Sequence, residues 1–303
     1  MIKAIISTTI NPPTEAIKRY DTMADWDLIV IGDLKTPDDY ALDRGTYVPP
    51  PAQEALDQEL SDLIGWNCIQ RRNFGFLLAW QMGADIIATV DDDNIPFAEW
   101  GHDLFVGGDV EATVYDTELP AFNPVGATNH PNLWHRGYPL QLLPVRDYTV
   151  SRRESVTADV QADFWNGDPD IDAICRMQFA PDCDFDADRF PMASTVASPF
   201  NSQNTFLTRR WLSEYFLFPS IGRMDDIWAG YHLQARGAKV VYGPPSVVQE
   251  RNPHDLVIDM KKEYLGYENN LRIVEAVRDD PDALLGFLPS EAIAAFDRYR
   301  SLF

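Results

Sequence analysis

Short apolar runs alternate with longer amphipathic segments in the first ninety residues. Residues 2–7 and 27–32 are β-branched runs that end in polar turns, and residues 13–20 between them predict a helix with proline at its start. Residues 63–82 predict a long helix, and the apolar run 85–90 predicts a buried strand directly after it. This alternation predicts a mostly parallel sheet whose strands are joined by helical crossovers.

The later part of the chain has a less regular pattern. Residues 94–198 are rich in Pro, Gly, Asp and aromatic residues, which favours loops and short antiparallel strands. Further on, the pattern predicts a strand at 204–207, a helix at 225–236 closed by glycine, and a strand at 238–242. The remaining residues predict outer helices, so we expect an α/β domain over 1–258 and a helical segment over 259–303.

Composition and charge narrow the class of partner. The chain has 303 residues and a formal net charge of −22, which disfavours a nucleic-acid surface because phosphate contacts need clustered Lys and Arg. Three cysteines without metal-ligand spacing favour a reducing compartment. No apolar run is long enough to span a membrane, and the N-terminal run is too short for a signal sequence. We therefore expect a cytoplasmic protein.

Polar residues follow each of the first predicted strands. Thr8 and Thr9 come after the first strand, Asp33 after the second, and Asp91-Asp92-Asp93 after the strand at 85–90. Ligands of parallel α/β sheets bind at the carboxyl ends of the strands, so these side chains are candidates for one site.

The acidic run Asp91-Asp92-Asp93 predicts a metal site. Adjacent carboxylates raise one another's pKa unless a positive group neutralises them, and Mn²⁺ or Mg²⁺ is bound by such oxygen ligands together with phosphates. Alternation along a strand would turn Asp91 and Asp93 to one side and Asp92 to the other. The alternative is an acidic turn that binds nothing.

Two further charged pairs are candidates. Arg71-Arg72 lie in the helix predicted before the acidic run, where they would pair with a diphosphate or with the acidic run. Asp225-Asp226 open a later helix, as catalytic or sugar-binding carboxylates. The alternative for the arginines is a solvated helix face, and for the aspartates a capping role at the positive end of the helix dipole.

Two single residues complete the candidates read from the pattern. Trp228 would supply an apolar face against a sugar ring. His254 would be a third metal ligand, although an isolated histidine is more often structural.

Several ordered motifs resemble known families. The chain resembles the plant reversibly glycosylated polypeptides, which are UDP-arabinopyranose mutases, in IIATVDDDN (86–94), RGYP (136–139), FWNGDPDIDA (164–173), GRMDDIWAG (222–230) and KKEY (261–264). It is also similar to the STELLO glycosyltransferase-like proteins in IGDLKTP (31–37), RRNFGFLLAWQMGA (71–84), RGYPLQLL (136–143) and PFNSQNTF (199–206). Together these resemblances cover most of residues 1–265.

The resemblance implies a GT-A-type nucleotide-sugar fold, a UDP-sugar donor, and Mn²⁺ or Mg²⁺ at the acidic run. The chain departs from the mutases at Asn129, where they carry an arginine that becomes glycosylated. It also lacks their histidine after the strand that follows the Asp-Asp helix, so that Gln249 or His254 would replace this ligand.

The first hypothesis is a metal-dependent glycosyltransferase with an unknown acceptor and a possible homo-oligomeric state. Thr8, Thr9, Asp33, Arg72 and Asp92 would bind the donor, with Asp91 and Asp93 on the metal. Asp225 or Asp226 would act at the anomeric carbon, as a base or by stabilising positive charge.

The sugar and acceptor side is assigned to the remaining candidates. Arg136 and Trp228 would shape it, and Lys261-Lys262 would close over the diphosphate unless they are surface lysines. Two alternatives stay open: a UDP-sugar pyranose/furanose mutase, and a nucleotide-sugar-binding protein without turnover.

Overall fold

The computed structural model describes residues 1–250 and 255–303. The α-helices of this part are α1 Glu15–Asp21, α2 Pro50–Leu56, α3 Gln58–Ile64, α4 Arg72–Gln81, α5 Ala173–Phe179, α6 Asp225–Ala235, α7 Leu256–Ala276 and α8 Ser290–Arg300. The strands are β1 Lys3–Thr8, β2 Asp27–Ile31, β3 Thr46–Val48, β4 Ile86–Val90, β5 Asn94–Pro96, β6 Asp109–Tyr115, β7 Ser151–Thr157, β8 Val160–Gly167, β9 Met192–Ser194, β10 Asn204–Thr208 and β11 Val240–Gln249.

All strands join one 11-stranded sheet in the order β3-β2-β1-β4-β10-β8-β11-β9-β6-β7, with β5 paired to β11. The first four strands are parallel, β10 is antiparallel to both of its neighbours, and β8 is again parallel to β11. The predicted α/β class, with a mostly parallel central sheet and C-terminal helices, is confirmed.

The first crossover helix is tied to the acidic run at its start. Thr14 caps α1, since its Oγ1 accepts a hydrogen bond from the N–H of Ile17 at 3.2 Å. The same hydroxyl donates to the main-chain carbonyl of Asp92. The predicted helix at 13–20 is confirmed with a start two residues later, and its cap holds the turn after β4 against β1.

The predicted long helix at 63–82 is wrong, because the chain breaks it into α3 and α4. Gly65 and Asn67 both adopt left-handed backbone conformations, with φ of 76° and 59°, which no α-helix contains. A short 3-10 turn at Ile69–Arg71 then leads into α4. A Cβ at Gly75 would lie 2.2 Å from Ile6 Cγ2, so this glycine allows α4 to pack closely on β1.

The middle region contains the predicted short strands. β6 and β7 form an antiparallel pair, β8 pairs with β10 and β11, and α5 begins at an Asp172 cap. The predicted strand at 238–242 continues to Gln249 past an irregularity between Gly243 and Val247. The helix predicted at 225–236 is confirmed as α6.

The C-terminal helices pack on the same hydrophobic core as the sheet. Phe296 of α8 stacks on Phe216 with ring centroids 5.5 Å apart, and the Tyr299 hydroxyl donates to the carbonyl of Leu212. The boundary predicted at residue 258 falls inside α7, so the division into two units stays a prediction. Of the helices that the structure describes, none is long and apolar enough to cross a bilayer.

Candidate functional site

Two adjoining cavities open at the carboxyl ends of β1, β2 and β4. The first, here called the strand-end cleft, has a volume of about 260 Å³ and is lined by Thr8, Thr9, Ile10, Asn11, Ile31, Gly32, Asp33, Asn67, Cys68, Ile69, Arg71, Arg72, Asp91, Asp92 and Asp93. The second, here called the Asp225 pocket, has a volume of about 430 Å³ and is lined by Asn67, Cys68, Ile69, Gln70, Asp91, Asp93, Arg136, Gln203, Ser220, Gly222, Arg223, Asp225, Asp226, Gln249 and Lys262.

The two cavities share a wall. Asp91 and Asp93 line both of them, as do the residues of the turn Asn67–Ile69. The site is therefore one continuous groove, with a strand-end compartment and an Asp225 compartment on either side of the acidic run. Its combined size lies in the range of cavities that bind small molecules.

Asp91 is neutralised by a buried arginine. Arg72 Nη2 lies 2.7 Å from Asp91 Oδ1, and the Arg72 side chain is 1% exposed. The same guanidinium donates to Thr8 Oγ1 at 3.1 Å and to the carbonyl of Ser202 at 2.7 Å. Arg72 therefore links the ends of β1 and β4, and the solvated-face alternative is wrong for it.

Asp92 points into the loop after β1. Its Oδ2 accepts hydrogen bonds from Thr9 Oγ1 at 2.5 Å and from Asn11 Nδ2 at 3.1 Å. Burial raises the pKa of Asp92, and these two donors oppose the shift. Of the three aspartates, Asp92 lines only the strand-end cleft, whereas Asp91 and Asp93 line both cavities. The run lies in the turn after β4, so the alternation expected for a strand does not apply to it.

The shared wall has the chemistry of a divalent-cation site. Arg72 engages Oδ1 of Asp91, and no hydrogen bond from residues 1–250 or 255–303 reaches Oδ2 of the same carboxylate. Asp93 and the buried Gln249 add oxygen atoms to the same pocket. These oxygens suit Mn²⁺ or Mg²⁺. The described residues contain no group of three or more His, Cys, Asp or Glu side chains arranged around one metal position, and His254 lies outside the described residues.

Asp33 stabilises the turn between the two cavities. Its carboxylate accepts hydrogen bonds from the N–H groups of Leu34 and Asn67 at Oδ1 and of Cys68 at Oδ2, over 2.6–3.0 Å. Asp33 lines the strand-end cleft, but its oxygens are already engaged with the backbone. The buried Asp33 carboxylate therefore stabilises the turn that contains the left-handed Asn67.

Arg71 also stabilises this turn. Its guanidinium lies 3.6 Å from the Trp66 ring centroid and donates to Gln53 Oε1 at 2.8 Å and to Ser61 Oγ at 3.0 Å. The residue is 0% exposed, which excludes the solvated-face alternative, and most of its donors are engaged by the protein.

Asp226 and Arg136 form a buried ion pair. Arg136 Nη1 and Nη2 lie 2.9 and 3.1 Å from the two oxygens of Asp226, and its Nε lies 3.0 Å from both oxygens of Asp170. Asp226 Oδ2 also accepts from the N–H of Ser202 at 3.0 Å. Burial opposes ionisation of Asp226, but Arg136 outweighs it and lowers the pKa of this carboxyl.

Asp225 has a different environment on the same helix turn. Gln70 Nε2 donates to its Oδ2 at 2.8 Å, and α6 begins without a side-chain cap. Burial, and then the charge of Asp226, raise the pKa of Asp225 to about 7. Neighbouring carboxyls whose pKa values are pushed apart are typical of acid–base sites, so Asp225 is the group suited to exchange a proton.

Glu263 of α7 completes the wall behind this pair. Its Oε1 accepts from Arg223 Nε at 2.9 Å, and its Oε2 accepts from the N–H of Ala173 and the hydroxyl of Tyr267. Arg223 in turn lines the Asp225 pocket. The C-terminal helix therefore helps to form the site.

The structure brings together most of the residues predicted from the sequence. Trp228 is the exception that calls for a correction: it is 0% exposed, its Nε1 donates to Asn270 Oδ1 at 2.8 Å, and it lines neither cavity. Its role in the structure is to join α6 to α7, because the face of α6 that carries it is turned into the core. Lys262 lines the Asp225 pocket, whereas the exposed Lys261 lines neither cavity.

Several lining residues were missed by the sequence analysis, chiefly Gln70, Gln203, Ser220 and Arg223. One signal was present: Gly65 followed by Trp-Asn predicts a turn, and recognising it would have placed Gln70 at the start of a new helix. The others lie in segments without a periodic pattern.

Sequence comparison finds relatives but no family model that matches the chain. The chain is 26% identical over 269 residues to the probable glycosyltransferase STELLO2 of Arabidopsis thaliana, and 26% identical over 271 residues to STELLO1 of the same plant. The chain resembles the STELLO proteins. The alignments cover 81% and 80% of this chain, and 35% of each relative, so the chain spans about a third of their length.

Two solved structures align with most of the chain at low similarity. Glucosyl-3-phosphoglycerate synthase from Mycobacterium tuberculosis is 12% identical with a TM-score of 0.48, covering 90% of this chain and 80% of that one. The mannosyltransferase PcManGT from Pyrobaculum calidifontis, in complex with GDP-Man and Mn²⁺, is 11% identical with a TM-score of 0.40, covering 99% and 75%. Likenesses at this level say nothing about activity.

Proposed function

We propose that this chain is a glycosyltransferase that uses a nucleotide-sugar donor, a UDP-sugar, together with Mn²⁺ or Mg²⁺. The observation that carries the proposal is the shared wall: Asp91 and Asp93 lie between a strand-end cleft and a pocket that holds Asp225. A donor that bridges the two compartments would place its diphosphate at the acidic run and its sugar beside Asp225. The likeness to probable glycosyltransferases supports the same class.

The donor would lie along the strand ends. Thr8, Thr9 and the turn above Asp33 line the compartment for the nucleoside, and Arg72 lies at its inner end. Asp91 and Asp93 would hold the metal ion, which when bound offsets the charge that develops on the departing diphosphate. Lys262 enters the Asp225 pocket from α7, where a cation would face the same diphosphate.

Asp225 would act as the general base for an inverting transfer. The acceptor hydroxyl gives its proton to Asp225, its oxygen forms a bond to the anomeric carbon, and the bond from that carbon to the diphosphate oxygen breaks. A carboxyl with a pKa of about 7 is ionised in a large fraction of molecules near neutral pH and still basic enough to accept the proton. Asp226 and Arg136 would hold α6 in place for this step.

The mutase alternative gains no support from the position of Asn129. This residue lines neither cavity, and its side chain donates to the carbonyl of Asp184 and accepts from the N–H of Asp186. A covalent sugar carrier would have to reach the anomeric carbon, which the proposal places beside Asp225.

Calorimetric titration with UDP and with UDP-glucose, with and without Mn²⁺, tests the proposal. We expect binding that needs Mn²⁺ and is lost in the double variant Asp91→Asn/Asp93→Asn. The matched control is Asp279→Asn/Asp280→Asn, which removes the same charge from an exposed pair near the C-terminus and should bind like the unchanged protein. Absence of binding under every condition would contradict the proposal, and binding that ignores Mn²⁺ would remove its metal component.

A further inference from the structure

The geometry points to Gln70 as the positioning residue for Asp225: its side-chain amide holds one carboxylate oxygen and so leaves the other to take the acceptor proton. This inference rests on the proposed function, in which Asp225 is the base. Neither the sequence pattern nor the resemblance assigns a role to Gln70.

The contact joins distant parts of the chain inside the site. Gln70 Nε2 lies 2.8 Å from Asp225 Oδ2, and the two residues are 155 positions apart in sequence. Both are buried and both line the Asp225 pocket. Within residues 1–250 and 255–303, no second side chain forms a hydrogen bond with Asp225. Gln70 is therefore the side chain that fixes the rotation of this carboxylate.

Gln70 is itself held rigidly. It lies in the short 3-10 turn before α4. Just before it in the chain, the N–H groups of Asn67 and Cys68 donate hydrogen bonds to the Asp33 carboxylate. Just after it, the buried guanidinium of Arg71 donates to Gln53. The same turn carries Asn67–Ile69, which line both cavities. The turn that carries the Gln70 amide therefore also lines the proposed donor compartment. The same turn would orient the Asp225 carboxylate and form part of the nucleotide site.

The charges around Asp225 determine what loss of Gln70 should do. The charged groups that face this carboxyl in the pocket are Asp226 on its own helix, Arg136 and Arg223 from the preceding segments, Asp91 and Asp93 at the end of β4, and Lys262 from α7. A donor to an ionised carboxylate favours the ionised form. Removal of the Gln70 amide should therefore raise the pKa of Asp225 further.

Two variants test the inference, Gln70→Ala and Gln70→Glu. The first removes the donor, and the second keeps the shape but places a carboxyl against Asp225. Carbon-13 NMR of the aspartate carboxyls gives the titration of Asp225, identified by the signal that disappears in Asp225→Asn. We expect the midpoint to rise by about one pH unit in Gln70→Ala, from the usual strength of hydrogen bonds to charged groups, and by more in Gln70→Glu.

The rate gives a second readout. With UDP-glucose as donor and water or an active acceptor, the rise of kcat with pH should move to higher pH with the NMR midpoint. The rate of Gln70→Ala should be about tenfold lower on the acidic side and recover at alkaline pH. A purely structural loss would lower the rate equally at every pH. The control Gln58→Ala breaks a similar Gln–Asp contact, to Asp62, on the exposed surface and should leave both curves unchanged.

The outcomes separate the inference from the function on which it rests. An Asp225 midpoint that stays in place in both folded variants overturns the role of Gln70, even if UDP still binds. A midpoint that rises while the pH dependence of kcat stays fixed supports the Gln70 contact but overturns Asp225 as the base. Thermal unfolding of both variants establishes that the folded protein is being measured, and Gln70→Glu, which keeps the volume, serves if Gln70→Ala does not fold.

Discussion

The strand-end cleft and the Asp225 pocket are built in different ways. The cleft takes its residues from the first third of the chain, at the ends of β1, β2 and β4 and in the turn before α4. The pocket adds residues from Arg136 to Lys262, which the sheet brings together only when the whole chain is folded. The strand-end cleft is therefore formed by neighbouring parallel strands from one part of the chain, whereas the Asp225 pocket needs contacts between residues far apart in sequence.

The two compartments also balance their charges differently. In the cleft, Asp33 and Asp92 are satisfied by backbone N–H groups and by short polar side chains. In the pocket, Asp226 is paired with the guanidinium of Arg136, which also pairs with the fully buried Asp170. Among residues 1–250 and 255–303, no cation lies at hydrogen-bond distance from Asp225, which receives the Gln70 amide instead and can therefore titrate. The contrast predicts that changes in the pocket have larger effects than changes in the cleft.

The largest expected effect belongs to Asp225→Asn. Loss of the base should lower kcat by about 10²–10⁴-fold, while UDP affinity stays within a factor of about three of the starting value. Steady-state kinetics and calorimetry measure the two quantities, and a variant with unchanged kcat would remove Asp225 from the mechanism.

Relative to the unchanged protein, the same variant should become more stable as pH rises. The pKa of Asp225 is raised from 3.8 to about 7 by folding, so the folded protein keeps a proton that the unfolded chain has released. The stability of the unchanged protein therefore falls as pH increases from about 4 to about 7. Asparagine removes this penalty, and the Tm difference between variant and parent should be larger at pH 8 than at pH 5. A constant difference would contradict the raised pKa.

Arg136→Met should cost the most stability. It leaves Asp170 and Asp226 buried without their shared guanidinium, and breaking a buried ion pair typically costs about 3–5 kcal/mol. Urea denaturation gives the change in the free energy of unfolding. Arg152→Met is the matched control, because that arginine is half exposed and its ion pairs should be worth about 1 kcal/mol or less. Similar losses in both variants would contradict the buried network.

Asp33→Asn tests the cleft. The amide can accept fewer hydrogen bonds than the carboxylate, so at least one N–H group of the turn at Asn67 and Cys68 should lose its partner. The free energy of unfolding should fall by about 1–2 kcal/mol. We expect weaker UDP binding together with a smaller loss of unfolding free energy than in Arg136→Met. Unchanged UDP affinity would show that this turn does not border the nucleotide.

The smallest expected effect belongs to Trp228→Phe. The change removes the hydrogen bond to Asn270 in the core and should cost about 1 kcal/mol of stability without altering kcat or UDP affinity. A large loss of donor binding in a folded variant would restore the sugar-stacking role that the burial of Trp228 excludes.

The residues of the strand-end cleft could be predicted from the sequence more fully than those of the Asp225 pocket. Polar residues directly after buried strands predicted Thr8, Asp33 and Asp91, because carboxyl ends of parallel strands share one edge. The separate roles of Asp225 and Asp226 could not be predicted, since adjacent residues in one motif differ only through their partners Gln70 and Arg136. Those partners are far away in sequence and carry no periodic signal.

The fold shows the same limit. Strands β1, β2 and β4 and helix α6 were predicted from the sequence pattern, whereas the short parallel strand β3 was not. The break between α3 and α4 was missed although Gly65 followed by Trp-Asn indicated a turn, and the sequence does not show that the Asp33 carboxylate accepts the N–H groups of Asn67 and Cys68 there. Trp228 was misassigned because a tryptophan on an acidic helix start looks the same in sequence whether its ring meets a ligand or α7.

The contact between Arg223 and Glu263 sets an order of events during synthesis. Arg136, Asp170, Asp226 and Arg223 leave the ribosome well before α7, and the partner that closes their network comes from α7 itself. Until α7 is in place, Arg223 lacks its ion-pair partners Asp259 and Glu263. A nascent chain that stops short of residue 263 would therefore contain every residue that lines the strand-end cleft but would lack Glu263, the carboxylate that pairs with Arg223 of the Asp225 pocket.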